Sequence, residues 1–192
     1  MSYATLAELK RYIELPPSNT IDDDLLTAAL ESATSIIDNE THRTFAAPAD
    51  STRGHDAIKD VEGRRLWLRG DLAQLTSVTI EGAAVSLPAL VNEPGIPNEP
   101  TYALTLKNSS GKSWAYGQDA EGAIAVTGRW AYSVTPPAAV AQATKRLAAW
   151  LYRQRDNALD LDRTMIVGNT VIAAAAIPAD IVLMLRPYKA RL

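Results

Sequence analysis

Hydrophobic positions near the start of the chain recur at helical spacing. Thr5-Leu6-Ala7-Glu8 has the form of a capping box, and Leu6, Leu9, Tyr12 and Ile13 then make a short apolar stripe that should end at Pro16-Pro17. A second helix is predicted with Asp22, Asp23 and Asp24 in its first turn, where the macrodipole favours anions. Its stripe of Leu25, Leu26, Ala29, Leu30, Ala33, Ile36 and Ile37 follows an i, i+4, i+8, i+11 pattern. Ala29 and Ala33 are small, so another helix can approach there. The helix should run out before Phe45.

From about Asp50 to Tyr132 the period shortens to that of strands. Arg65 to Arg69, Val78 to Ile80, Tyr102 to Leu106 and Ala123 to Val126 are the predicted strands. Glu81-Gly82, the proline-rich 92–100, Asn108 to Gly111 and Asp119 to Gly122 are the breakers between them. Helical spacing then returns. An alternating strand closes on Gly128-Arg129-Trp130, and after a short turn Thr135 is expected to cap a helix with Pro136 at its first position. Val140, Ala143, Leu147, Trp150 and Leu151 fall on one face of it; Gln142, Arg146, Ala149 and Arg153 fall on the other.

The matching periodicities place Leu147, Trp150 and Leu151 against Leu26, Ala29, Leu30 and Ala33 as the bundle core. After DNALDLDRT comes the apolar run MIVGNTVIAAAAI, with Gly168-Asn169 at a spot suited to a tight turn. A short helix from about Pro178 to Leu185 is stopped by Pro187, and the last residues should leave it as an extended basic tail. No internal repeat is visible. These elements predict an α+β chain that is mainly α: a small helical bundle from residues 1–45 and 133–192, with an antiparallel β insertion over about 46–132, in a single domain spanning 1–192.

Composition changes this picture only by exclusion. A chain of 192 residues can bury roughly 70% of its extended surface and fold alone. A formal net charge of -3 argues against a general nucleic-acid binder. With no cysteine there is no disulfide, thiolate metal site or thiol nucleophile. The opening MSYATLAELKRY has no basic start or apolar stretch, and no apolar run approaches the roughly 20 residues of a membrane span, so a soluble, non-secreted protein is expected.

Several fragments imitate chemical motifs. Ser109-Ser110-Gly111-Lys112-Ser113 ends like a phosphate-binding loop, but the required first glycine is Leu106 and no long helix follows, which leaves a polar hairpin turn. Asp156, Asp160 and Asp162 suggest calcium, yet Met165 and Val171 stand where an EF-hand loop starting at Asp160 needs Gly and Glu. Ser51, His55 and Asp56 are close in sequence, but neighbours on a strand point to opposite faces, so His55 and Asp56 would not orient one another. Trp67, Trp114, Trp130 and Trp150 read as core and interface anchors rather than a base-stacking platform. No catalytic residue, cofactor site or metal site is predicted.

Four segments, in order, carry a resemblance: YATLAELKRYIEL, DDDLLTAALESATSIIDNETHRTF, VTGRWAYSVTPPAAVAQATKRLAAWLY and IPADIVLMLRPYK. Together they resemble the head-tail connector, or head-completion adaptor, family of tailed bacteriophages. The likeness covers both ends of the chain well and the β middle poorly, and its motifs are packing signatures. Many relatives have glycine where this chain has His42 and Ala131.

The resemblance implies a structural adaptor and no enzyme, located in the virion neck and, during assembly, in the host cytoplasm. It implies a ring, most often dodecameric, beneath the portal protein and above a tail-side neck or stopper protein. Genomic DNA would pass through its lumen without sequence-specific binding, and no membrane is involved. The C-terminal Arg186, Pro187, Tyr188, Lys189, Arg191 and Leu192 would dock on the portal. The apolar Met165, Ile166, Val167, Val171 and Ile172 would contact a neighbouring subunit or another neck protein. The rival reading is a nucleic-acid-binding packaging or regulatory protein using Arg64, Arg65, Arg69, Lys145, Arg146, Arg153 and Arg155 as a phosphate patch. A hydrolase using Asp and His is the third.

Overall fold

The capping box at Thr5 is present in the computed structural model, which describes residues 2–96, 99–154, 165–167, 170–172 and 177–190. The Thr5 hydroxyl accepts from the Glu8 N–H, and the Glu8 carboxylate accepts from the Thr5 N–H at 2.8 Å. These bonds start α1 (Leu6–Tyr12), which ends ahead of the prolines because Glu14 turns the chain with φ 61°. Helix α2 (Asp23–Thr41) stops at His42, which adopts the left-handed conformation (φ 54°, ψ 34°) usual for a residue ending a helix.

Helix α3 (Ala138–Gln154) begins two residues later than Thr135 and Pro136 predict. The reason is steric. Pro137 clashes with helical backbone at the residue before it, so Pro136 cannot enter the helix, and the Ala141 N–H bonds the Pro137 carbonyl to close the first turn. Helix α4 (Ala179–Leu185) follows, and the chain returns through a 3-10 turn at Arg186–Tyr188.

These helices and the hairpin β9 (Met165–Val167) and β10 (Thr170–Ile172) belong to one compact unit, Met1–Arg43 with Pro137–Leu192. α2 packs against α3, α1 against both, and α4 against α3. Leu9, Leu26, Leu30, Ala33, Ile37, Val140, Ala143, Leu147, Ile181 and Leu185 are buried. Buried Thr34, Thr41 and Thr144 each donate to the carbonyl one turn back, so the stripe carries hydroxyls at no unpaired cost. Ala149, expected on the outer side, is buried, because α4 covers a second side of α3 through Arg146, which pairs with Asp180 and reaches the Met184 sulfur at 4.0 Å. Trp150 and Leu151 are only partly buried.

The second unit, Thr44–Pro136, overturns the expectation of a mainly helical fold. It holds two four-stranded antiparallel sheets, and the chain as a whole is 25% strand and 36% helix, a mixed α+β protein. One sheet has the order β1 (Ser51–His55), β8 (Ile124–Arg129), β4 (Gln74–Ile80), β5 (Ala83–Val85). The other runs β2 (Val61–Glu62), β3 (Arg65–Leu72), β7 (Thr101–Leu106), β6 (Leu90–Glu93). Leu66, Leu72, Val78, Leu104, Leu106, Ile124 and Val126, with Trp114 and Trp130, make one core drawn from both sheets. Glu81 and Gly82, with φ 48° and 80°, form the two-residue loop that joins paired Ile80 and Ala83, the geometry that suits the right-handed twist of a hairpin.

Candidate functional site

The polar residues of the β unit assemble around Asp60, which pattern reading does not single out. Its carboxylate accepts from the Asp56 N–H at 2.8 Å, from Arg69 Nε at 3.0 Å and from the second Arg69 nitrogen at 2.9 Å. The Asp56 carboxylate accepts the N–H groups of Ile58 and Lys59, and those two bonds, Lys59 first, hold its pKa below the usual aspartate value. A tight acidic turn thus carries a forked arginine. Arg53 donates to the Arg69 carbonyl at 2.8 Å and lies 4.4 Å above the Trp130 ring.

His55 is 1% exposed and sits within this group, its Nδ1 3.7 Å from Asp60 Oδ2. That separation exceeds a hydrogen bond, and neither ring nitrogen has a hydrogen-bond partner among the described residues. Burial lowers its pKa first of all; Asp60 opposes the shift, and Arg69 and Arg53 add to it. A neutral imidazole packed 5.8 Å from the Trp130 ring is the result. Ser51 is exposed at the far end of β1 and its carbonyl accepts from Trp130 Nε1, so Ser51, His55 and Asp56 form no relay. Asp60 could have been found from the sequence only by knowing that the 56–60 turn folds back on β1.

The other imitations resolve in the same direction. Ser109 to Ser113 lies in a 3-10 turn and the loop after it, with Gly111 left-handed at φ 61°, and no helix follows before β8. Asp156, Asp160 and Asp162 lie outside the described residues. Four of the seven cations offered as a phosphate patch are engaged: Arg65 pairs with Glu93 at 2.8 Å, Arg69 with Asp60 and Arg146 with Asp180, while Arg64 bonds the Leu106 carbonyl at 2.7 Å. Arg155 lies outside the described residues. Trp114 and Trp130 are core residues, whereas Trp67 is 39% exposed and stacked on Tyr102, ring centroids 6.1 Å apart.

The expected extended tail is corrected by the structure up to its last described residue. Arg186 to Tyr188 form a 3-10 turn, Lys189 pairs with Glu40, and the Ala190 N–H bonds the Thr41 carbonyl at 2.8 Å, which ties the segment to the end of α2. Proline is tolerated early in such a turn, so Pro187 redirects the chain without releasing it. Arg191 and Leu192 lie outside the described residues. Met165, Ile166 and Val167 pair with Ile172, Val171 and Thr170 in a sheet that has two strands among the described residues. Gly168 and Asn169, the expected turn, also lie outside the described residues.

No protein-family profile and no curated protein matches the sequence. Solved structures do match. A chain of the neck of an empty gene transfer agent particle, computed with C6 symmetry, superposes with a TM-score of 0.59 at 15% identity, over 99% of this chain and 91% of that one. A chain of the virion of the native particle gives a TM-score of 0.60 at 14% identity, with the same coverage. At these identities the likeness establishes a shared fold.

Proposed function

We propose that this chain is a structural component of the neck of a phage-like particle, an adaptor ring between the portal and the tail-side proteins. The observation that carries this reading is the end-to-end likeness of both units to neck and virion chains of a gene transfer agent particle. The family resemblance of the helical segments points the same way independently. Ring symmetry fits the neighbour's six-fold averaging, which accommodates twelve copies as well as six. No catalytic role is invoked for Asp60 or His55, whose bonds and burial are spent on holding the β unit together.

In this reading the hairpin 165–172 meets another neck protein or subunit, and the segment beyond α4, with Tyr188 as aromatic anchor, faces the portal. Because Lys189 and Ala190 close the end of α2, docking through them either uses the folded-back form or first peels it away. The net charge of -3 suits a lumen that lets DNA slide, since phosphate neutralisation is what makes DNA binding strong.

The test is electron microscopy of the purified chain, alone and mixed with portal rings of its own particle. Coaxial rings seated on the portal are expected. A monomer that ignores the portal would refute the adaptor reading. Salt-dependent binding of the isolated chain to duplex DNA would favour the packaging or regulatory alternative, which the engagement of Arg64, Arg65, Arg69 and Arg146 argues against.

A further inference from the structure

Two small surface patches of the helical unit are complementary to each other. The first is the opening of α2. Ile21, just ahead of α2, is 89% exposed, and Leu25 in its first turn is 47% exposed, at the edge of the stripe of buried Leu26, Ala29 and Leu30. Of the acids there, Asp22 accepts from the Tyr152 hydroxyl at 2.7 Å and Asp23 pairs with Lys10, which leaves exposed Asp24 outside any ion pair among the described residues. The second patch is the outer face of α4. Leu183 is 65% exposed and Arg186, three residues on, is exposed and likewise in no ion pair among the described residues. Ile181 and Leu185 face inward.

One copy does not bring these patches together, since Ile21, Leu25 and Leu183 are all exposed and neither Asp24 nor Arg186 is in an ion pair among the described residues. Tyr152 ties the start of α2 to the end of α3, whereas α4 lies against the middle of α3 through Arg146. A second copy can. Resting on the ring reading above, the geometry points to a head-to-tail contact in which Leu183 and Arg186 of one protomer pack on Ile21, Leu25 and Asp24 of the next. Apolar side chains meet at the centre and a unit charge of each sign meets at the rim. The contact uses different faces on the two partners, as a closed ring requires. It gives Arg186 to the neighbouring subunit rather than to the portal.

The natural chain has no cysteine, which makes the test direct. Ile21→Cys and Leu183→Cys are exposed substitutions that leave both cores intact. Mixed under a mild oxidant, the two single variants should give a disulfide-linked dimer on a non-reducing gel, and the double variant a ladder ending at the ring number. Each single variant alone should stay uncrosslinked. Absence of the mixed dimer, or efficient crosslinking of Ile21→Cys with itself, overturns the pairing. In a second arm, Asp24→Arg and Arg186→Asp should each weaken assembly about tenfold by sedimentation, and the double swap should restore it. Failure of the double swap to restore assembly, with each variant folded by circular dichroism, also overturns the proposal. Sedimentation of the natural chain separates the two readings. If it still forms rings while no crosslink appears, the pairing alone is wrong; if it stays monomeric even beside the portal, the ring reading fails with it.

Discussion

Gly128 is the next-to-last residue of β8, opposite Ser51 of β1 and Leu75 of β4, beside an irregularity in the β4 register between Leu75 and Ser77. A Cβ added there would lie 2.1 Å from the Gln74 carbonyl oxygen, 3.0 Å from Leu72 Cδ1 and 3.2 Å from the Gln74 carbonyl carbon. The first is a backbone atom of the neighbouring strand, so no side-chain rotation relieves it. The strands must separate by more than an ångström. That movement strains the adjacent Ala73 N–H bond to the Arg129 carbonyl, now 2.9 Å. Overpacking costs about 1 to 3 kcal/mol and a weakened ladder bond about 1 more, while alanine recovers about 0.5 to 1 through lower chain entropy. Gly128→Ala should therefore lose about 1 to 3.5 kcal/mol, a sizeable share of a typical domain's stability. Gly54 is the control: on β1 of the same ladder, its added Cβ would meet only the Gly122 Cα at 3.5 Å, an ordinary contact. Urea unfolding followed by tryptophan fluorescence should show a much lower midpoint for Gly128→Ala and little change for Gly54→Ala. Equal midpoints for the two variants would refute the steric argument.

Trp150→Ala should cost about 1 to 2 kcal/mol, below the usual 3 to 5 for a buried large aromatic, because the ring is only partly buried; Leu147→Ala should cost about 2 to 5, and a reversed order in thermal melts would place the bundle core wrongly. His42→Gly should stabilise the protein by about 0.5 to 1 kcal/mol, since the exposed side chain stands at a left-handed position that glycine adopts freely; a lower melting temperature would mean that the imidazole makes a stabilising contact. The His55 pKa is lowered in the folded state, so the unfolded chain takes up the proton first. Stability should be level above about pH 7.5 and fall as the pH drops through the unfolded value near 6.5, and His55→Phe should flatten that limb of the profile; an unchanged profile would show that His55 is not its source.

What the sequence disclosed follows from how each element is stabilised. α2 is legible because Leu26, Ala29, Leu30, Ala33 and Ile37 recur on one face of a long helix, and the predicted cores of β3, β4, β7 and β8 are legible because they alternate. β1, β2, β5 and β6 escape because they are edge strands held by pairing: Ser51 to Gly54 are all exposed and carry no apolar alternation. Counting those strands as loop is what made the chain look mainly helical. The Asp60 cluster escapes for a different reason, since Asp60 reaches Arg69 across two strands and a turn that no local pattern encodes. The start of α3 was misplaced because the second proline of Pro136-Pro137 governs the first. The outward patches at Ile21 and Leu183 carry no periodic signal that separates them from ordinary surface residues.

The helical unit is assembled from the two ends of the chain, with the whole β unit between them. During synthesis α2 is therefore complete long before its partner exists: about 100 residues separate Thr41 from Ala138, some 5 to 20 s at ordinary translation rates. Throughout that interval the Leu26 to Ile37 stripe has no α3 to cover it, whereas the β unit, with a core of its own, can already close.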